Sequence, residues 1–140
     1  MSDHETVVVI REWISKADND LTNASNTLKM GRRGPIDTVC FHAQQCVEKY
    51  LKALLVLRGI PFPRTHDIRT LLGLVPAGLR PNLELRAQGR LTEFATVTRY
   101  PGGYEPISLA EARSAVSIAR SLRREVRKRL PPEALRRGRR

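Results

Sequence analysis

The stretch 35–58, PIDTVCFHAQQCVEKYLKALLVLR, bounded by Gly34 and Gly59, constrains the fold of this chain most. At helical pitch, Ile36, Val39, Cys40, Ala43, Val47, Tyr50, Leu51, Leu54 and Leu57 fall on one broad apolar stripe. Pro35 suits a first turn, where its missing N–H has no helical partner to lose. Gly59, with Pro61 and Pro63 behind it, supplies the stop. Such a helix spans roughly 35 Å at about 1.5 Å per residue, the long dimension of a small domain.

A polar stripe runs along the same helix. His42, Gln45, Lys49 and Lys52 recur at i, i+3, i+7 and i+10. Two readings are open. The plain one is a solvated face with a Glu48–Lys52 pair at i, i+4, worth a few tenths of a kcal/mol. The sharper one is a cationic strip set for a phosphate or an acidic partner.

The other apolar periodicities are also helical. Over residues 6–30, Ile10, Ile14, Ala17, Leu21, Ala24 and Leu28 alternate spacings of four and three, and Trp13 broadens the face. Residues 1–5 read as loose. The short link to the central helix makes the two antiparallel. Thr65 can cap a short helix to about Leu74, with Asp67 in its first turn. A fourth helix is expected over 83–98, weakened by Gly89 and ended by Arg99-Tyr100-Pro101-Gly102-Gly103. Ser108 and Glu111 form a capping box for a last helix that ends before Pro131 and Pro132. Nothing reads as a strand. The expected fold is all-α, an antiparallel up-and-down bundle of four long helices and one short one, over residues 6–130. Residues 131–140 read as a basic, disordered tail.

Charge separates these parts. The 140-residue chain carries 25 Lys+Arg against 14 Asp+Glu, a net +11. From residue 120 onward there are ten basic and two acidic residues, so +8 of that excess sits on the last helix and tail. These residues could neutralise phosphates without sequence preference, or simply solubilise the end of the chain. The apolar run of residues 7–10 is too short for a signal or spanning segment, so no membrane role is expected. Cys40 and Cys46 lie about 9 Å apart along one helix, too far to bridge, and read as small buried hydrophobes in a reducing, cytoplasmic setting.

Several chemistries fail on spacing. No glycine-rich loop follows a strand, no cysteine–histidine cluster has zinc spacing, and no Gly-x-Ser-x-Gly occurs. No cofactor or metal is expected. Asp18 and Asp20 read as solvated beside Lys16. His66 and Asp67 stand at a helix start, and Arg99 and Tyr100 on a loop. In a bundle, His42, Lys49, Lys52, His66 and Arg99 could converge on one cationic pocket.

The segments WISKADNDLTNA, DTVCFHAQQCVEKYLKALLVLRGIPFPRTHDIRTLL and TRYPGGYEPISLAEARSAVSIA, in that order, resemble a HEPN domain, the higher-eukaryote and prokaryote nucleotide-binding family, over residues 13–130. The resemblance implies a helical bundle, usually a homodimer, often paired with a minimal nucleotidyltransferase. Many members act as ribonuclease toxins in toxin–antitoxin or defence systems; others bind nucleotides or assist a partner without catalysis. The family pattern FH-x-x-Q-x-x-E-K-x-x-K, THD and RYP is matched by His42, Gln45, Glu48, Lys49, Lys52, Thr65, His66, Asp67, Arg99, Tyr100 and Pro101.

One departure bears on catalysis. The ribonuclease members carry an arginine a few residues before a histidine. Here Arg58 and Arg64 precede His66 with seven and one residues between, and Arg33 precedes His42 with eight, so none fits. The tyrosine that some members place two positions after that histidine is Ile68 or Gln44 here. The reading is a non-catalytic module that binds a nucleotide or docks a nucleotidyltransferase through His42, Gln45, Lys49, Lys52, His66, Asp67, Arg99 and Tyr100. Its rival is a diverged metal-independent ribonuclease using His66, His42 and Arg99.

Overall fold

A computed structural model describes residues 1–96 and 106–136. The described residues form six α-helices and a single 3₁₀ turn, with no strand among them. The helices are α1 (Asp3–Leu28), α2 (Ile36–Leu57), α3 (Ile68–Leu74), α4 (Leu85–Phe94), α5 (Leu109–Arg129) and α6 (Pro132–Leu135). The all-helical fold follows the apolar periodicities. The fourth helix, expected over 83–98, is shorter: α4 starts at Leu85 and ends at Phe94, with a turn at Ala95 and Thr96, and Arg99 and Tyr100 lie outside the described residues.

Side-chain pairs give the directions. Asp18 meets Tyr50 and Asp20 meets His42 and Lys49, while Trp13 lies against Lys52, so α1 and α2 run antiparallel. Arg120 reaches Ser25, Arg123 reaches Asp18 and Arg11 reaches Glu133, so α5 is antiparallel to α1. Asn82 meets Glu125 and Arg90 meets Glu111, which sets α4 against α5. The result is an up-down-up-down bundle.

α2 is its centre. Fourteen of its 22 residues are buried, too many for a helix with one face in water. It packs on α1, α3, α4 and α5. The core around it is Ile10, Ile14, Val47, Tyr50, Leu51, Leu54, Leu55, Leu71, Leu91 and Leu122 with the alanines of α1 and α5. Cys40 and Cys46 are free and buried there. α2 stops in a Schellman motif. Gly59, at φ +65°, donates to the Val56 carbonyl at 3.0 Å, and Ile60 donates to Leu55 at 2.9 Å.

Four other boundaries differ from the sequence reading. Residues 1–5 are not loose: Ser2 Oγ accepts from Glu5 N (3.1 Å) and Glu5 accepts from Ser2 N (3.2 Å), a full capping box that starts α1 at Asp3. The cap of α3 is Asp67, not Thr65; its Oδ1 accepts from Arg69 N at 2.9 Å and Thr70 N at 3.3 Å. At α5, Ser108 accepts from Glu111 N, but the Glu111 carboxylate turns to Arg90 instead of closing the box. Beyond Leu130 the chain continues into α6, whose Ala134 is buried, while the Glu133 carbonyl accepts from Arg11 Nε at 2.9 Å. Proline suits the start of that helix for the same reason that it ends the one before.

Candidate functional site

The polar edge of α2 is neither solvated nor bare positive charge. Two carboxylates organise it. Asp20 arrives from α1 through the antiparallel register. Its Oδ1 lies 2.8 Å from His42 Nδ1 and its Oδ2 accepts from Lys49 Nζ at 2.5 Å. On α2 itself, Glu48 is only 2% exposed. Its Oε1 lies 2.7 Å from His66 Nδ1 and accepts from Gln44 Nε2 at 3.2 Å; its Oε2 accepts from Lys52 Nζ at 3.1 Å.

Each carboxylate thus grips one histidine and one lysine. An ionised carboxylate can only accept, so Nδ1 carries the hydrogen in both rings. That leaves Nε2 as the atom each ring can offer, and among the described residues it meets no hydrogen-bond partner. His66 has the most open side chain of the set, 47% exposed, because it stands on the turn before α3. Lys52 is held deeper. Its Nζ lies 5.3 Å from the Trp13 ring centre and 5.7 Å from that of Phe62, and these two rings meet edge to face.

Two glutamines complete the lattice. Gln44, fully buried, donates to the His66 carbonyl at 3.2 Å and accepts from Gln45 Nε2 at 2.6 Å. No buried side-chain nitrogen or oxygen among the described residues lacks a partner. A buried polar network satisfied to this degree holds its members in fixed positions.

The expected site residues therefore divide. His42 and Lys49 meet on Asp20, and Lys52 and His66 meet on Glu48. Gln45 is a buried link. The side-chain oxygen of Asp67 is committed to the α3 backbone. Arg99 and Tyr100 lie outside the described residues. Among the described residues no three His, Cys, Asp or Glu side chains converge to hold a metal ion.

The reading of Asp18 and Asp20 as solvated is corrected. Besides Asp20's role, Asp18 Oδ1 accepts from Tyr50 Oη at 2.5 Å and from Arg123 Nε at 2.8 Å, with Arg127 at 3.9 Å from its other oxygen. Burial, then this bond to Asp18, pushes the Tyr50 phenol up; a bond to the same carboxylate holds Arg123 protonated. A signal for Asp20 existed, because it sits at i+3 from Ala17 and i−4 from Ala24, on the apolar stripe of α1. A carboxylate on a buried stripe asks for a cationic partner.

Residues 10–129 match the HEPN domain family. No curated protein matches. Among solved structures, the chain is similar to TT1696 from Thermus thermophilus, with a TM-score of 0.73 and 28% identity over 86% of this chain and 98% of that one. It is also similar to ST0689, an archaeal HEPN homologue, with a TM-score of 0.62 and 26% identity over 86% of this chain and 96% of that one. Among the described residues no helix is long and apolar enough to cross a membrane. With a family match over most of its length and a helical bundle like those of its neighbours, the chain belongs to the HEPN domain family.

Proposed function

We propose that this protein is a non-catalytic HEPN module of the cytoplasm, working as a homodimer, that binds a nucleotide on the α2 edge and pairs with a small nucleotidyltransferase, as one half of a toxin–antitoxin-like system. The observation that carries this is the double carboxylate brace. Asp20 and Glu48 fix two imidazoles through Nδ1 and two ammonium groups beside them. Ordered ammonium donors of this kind, with imidazoles held beside them, suit a phosphate. Arg99 and Tyr100 belong to the same proposed surface.

Calorimetric titration of ATP and GTP against wild type, Lys49→Glu and His66→Ala tests the nucleotide part, with thermal melts confirming that each variant folds. Binding weakened at least about tenfold in both variants is expected, the loss of one charge-assisted hydrogen bond. Equal affinity in all three, or none in wild type, removes nucleotide binding. Co-expression pull-down with a nucleotidyltransferase encoded beside this chain tests the pairing.

The same brace favours a second reading, metal-independent ribonuclease action. A carboxylate-oriented imidazole with Nε2 free is the arrangement of a general acid or base, and a ribose 2′-hydroxyl can serve as the nucleophile. His66 and His42 would carry the protons and Arg99 would stabilise the phosphorane. Incubation with RNA under EDTA distinguishes the two: cleavage lost in His66→Ala supports the enzyme, and intact RNA supports the binding module.

A further inference from the structure

A second concentration of charge lies away from α2. Two open clefts, of about 480 and 460 Å³, run between α1 and α5 and share Asp18 and Arg123 in their walls. They adjoin at the Asp18–Arg123 ion pair, which lines both, so that an elongated groove runs over this bridge. On the α1 side its lining runs from Arg11 to Asn26, roughly 22 Å at about 1.5 Å per residue. Five arginines border it: Arg11 from α1, Arg120, Arg123 and Arg127 from α5, and Arg136 just after α6. Asp18 is the one acidic residue among the lining residues. None of the α2 side chains described above lines it.

The arginines are set in place. Arg120, Arg123 and Arg127 recur at i, i+3 and i+7, so they stand in a row along one face of α5. Arg123 is anchored through Nε on Asp18, Arg120 donates to Ser25 Oγ at 3.0 Å, and Arg11 is tied to the Glu133 carbonyl. An Arg held by one nitrogen keeps its other N–H groups for a second acceptor. Between the arginines, the wall from α1 offers Ser15, Asn19, Thr22 and Asn26, short side chains that hydrogen-bond phosphate or ribose oxygens.

We propose that this groove binds the sugar–phosphate backbone of a nucleic-acid strand. Its shape is elongated where a single small anion would need a closed pocket, and guanidinium forks match phosphate oxygens. No aromatic side chain lines it, so bases have nothing to stack on and recognition is independent of sequence. The exposed large apolar residues, Met1, Val8, Met30 and Leu85, are not among its lining residues, which disfavours a lipid surface as the occupant. The sequence placed the basic excess on the last helix and tail; the fold sets part of it, Arg120, Arg123, Arg127 and Arg136, against α1, with α6 as part of the wall. This inference stands apart from nucleotide binding at the α2 edge, since the two surfaces share no residue.

Fluorescence anisotropy with short oligouridylate and oligoadenylate strands, across about 50 to 200 mM salt, tests it. Wild type should bind both strands alike, with affinity falling steeply as salt rises, about 0.7 logarithmic units per decade for each phosphate neutralised. Arg120→Ala/Arg127→Ala should weaken binding and flatten that slope by about 1.4. Arg86→Ala/Arg113→Ala removes the same charge outside the groove and should change neither. Absence of binding at low salt overturns the proposal, and so does equal loss in the two double variants. Capture of anionic phosphatidylserine vesicles without any RNA binding overturns it as well.

Discussion

The α2 edge and the α1–α5 groove hold similar charges in opposite proportions. On α2, two lysines and two histidines meet two carboxylates, both of them buried or nearly so. In the groove, five arginines are matched by one partly exposed aspartate, which Arg123 and Arg127 approach. The first arrangement spends most of its charge on holding the bundle together and keeps the ring nitrogens and the remaining ammonium hydrogens for a ligand. The second keeps most of its charge for whatever enters. A count of basic residues along the chain does not separate these cases, because the deciding quantity is how many carboxylates the fold brings to each cation.

The largest break in this comparison comes from Glu48→Ala. It strands the Lys52 ammonium, in a residue 8% exposed, beside Trp13 and Phe62. Removing one partner of a buried ion pair costs about 3–5 kcal/mol, which urea denaturation would read as a lower midpoint at unchanged slope. In the groove, Asp18→Ala should cost less, about 1–3 kcal/mol, mainly from the buried Tyr50 hydroxyl left without its acceptor. The same variant should bind RNA more tightly than wild type, because the groove loses its one acidic lining residue. An Asp18→Ala protein as damaged as Glu48→Ala, or one that binds RNA less well, would break the contrast.

A smaller effect concerns the thiols on α2. Burial, reinforced by Glu111, pushes Cys40 from 9.0 up to about 12; burial and then Asp18 push Cys46 up further. Both shifts keep protons on the native state that the unfolded chain releases. Their stabilisation is complete below about pH 9 and is lost as pH rises through the folded value. Denaturation midpoints should therefore fall progressively above pH 9, and thiol reagents at neutral pH should label the folded protein only as fast as it opens. The smallest effect is expected at Glu93, whose pair with Arg90 sits on the surface. Glu93→Ala should change stability by no more than about 0.5 kcal/mol.

The helices were legible because apolar spacing is local. The stripe through Val39, Tyr50, Leu51 and Leu54 identified α2 and its stop at Gly59. The braces were less legible because they are tertiary. Glu48 and Lys52 are visible as an i, i+4 pair, but their burial depends on α1 and the segment carrying Phe62 closing over them. Asp20 is paired only because the α1–α2 hairpin brings it opposite His42 and Lys49. Two boundaries do carry a local signal: Ser2 and Glu5 spell a capping box, and Pro132 opens a helix as readily as Pro131 closes one. Asp67 displaced Thr65 as the cap because its carboxylate stands directly before the first helical residue and accepts from two amides.

The division of labour between these surfaces is most directly tested by mapping amide and arginine side-chain NMR shifts during two separate titrations, one with ATP and one with a single-stranded RNA. ATP is expected to move His42, Lys49 and His66, and RNA to move Arg120, Arg123 and Arg127. Shifts at one common set of residues for both ligands would contradict this division.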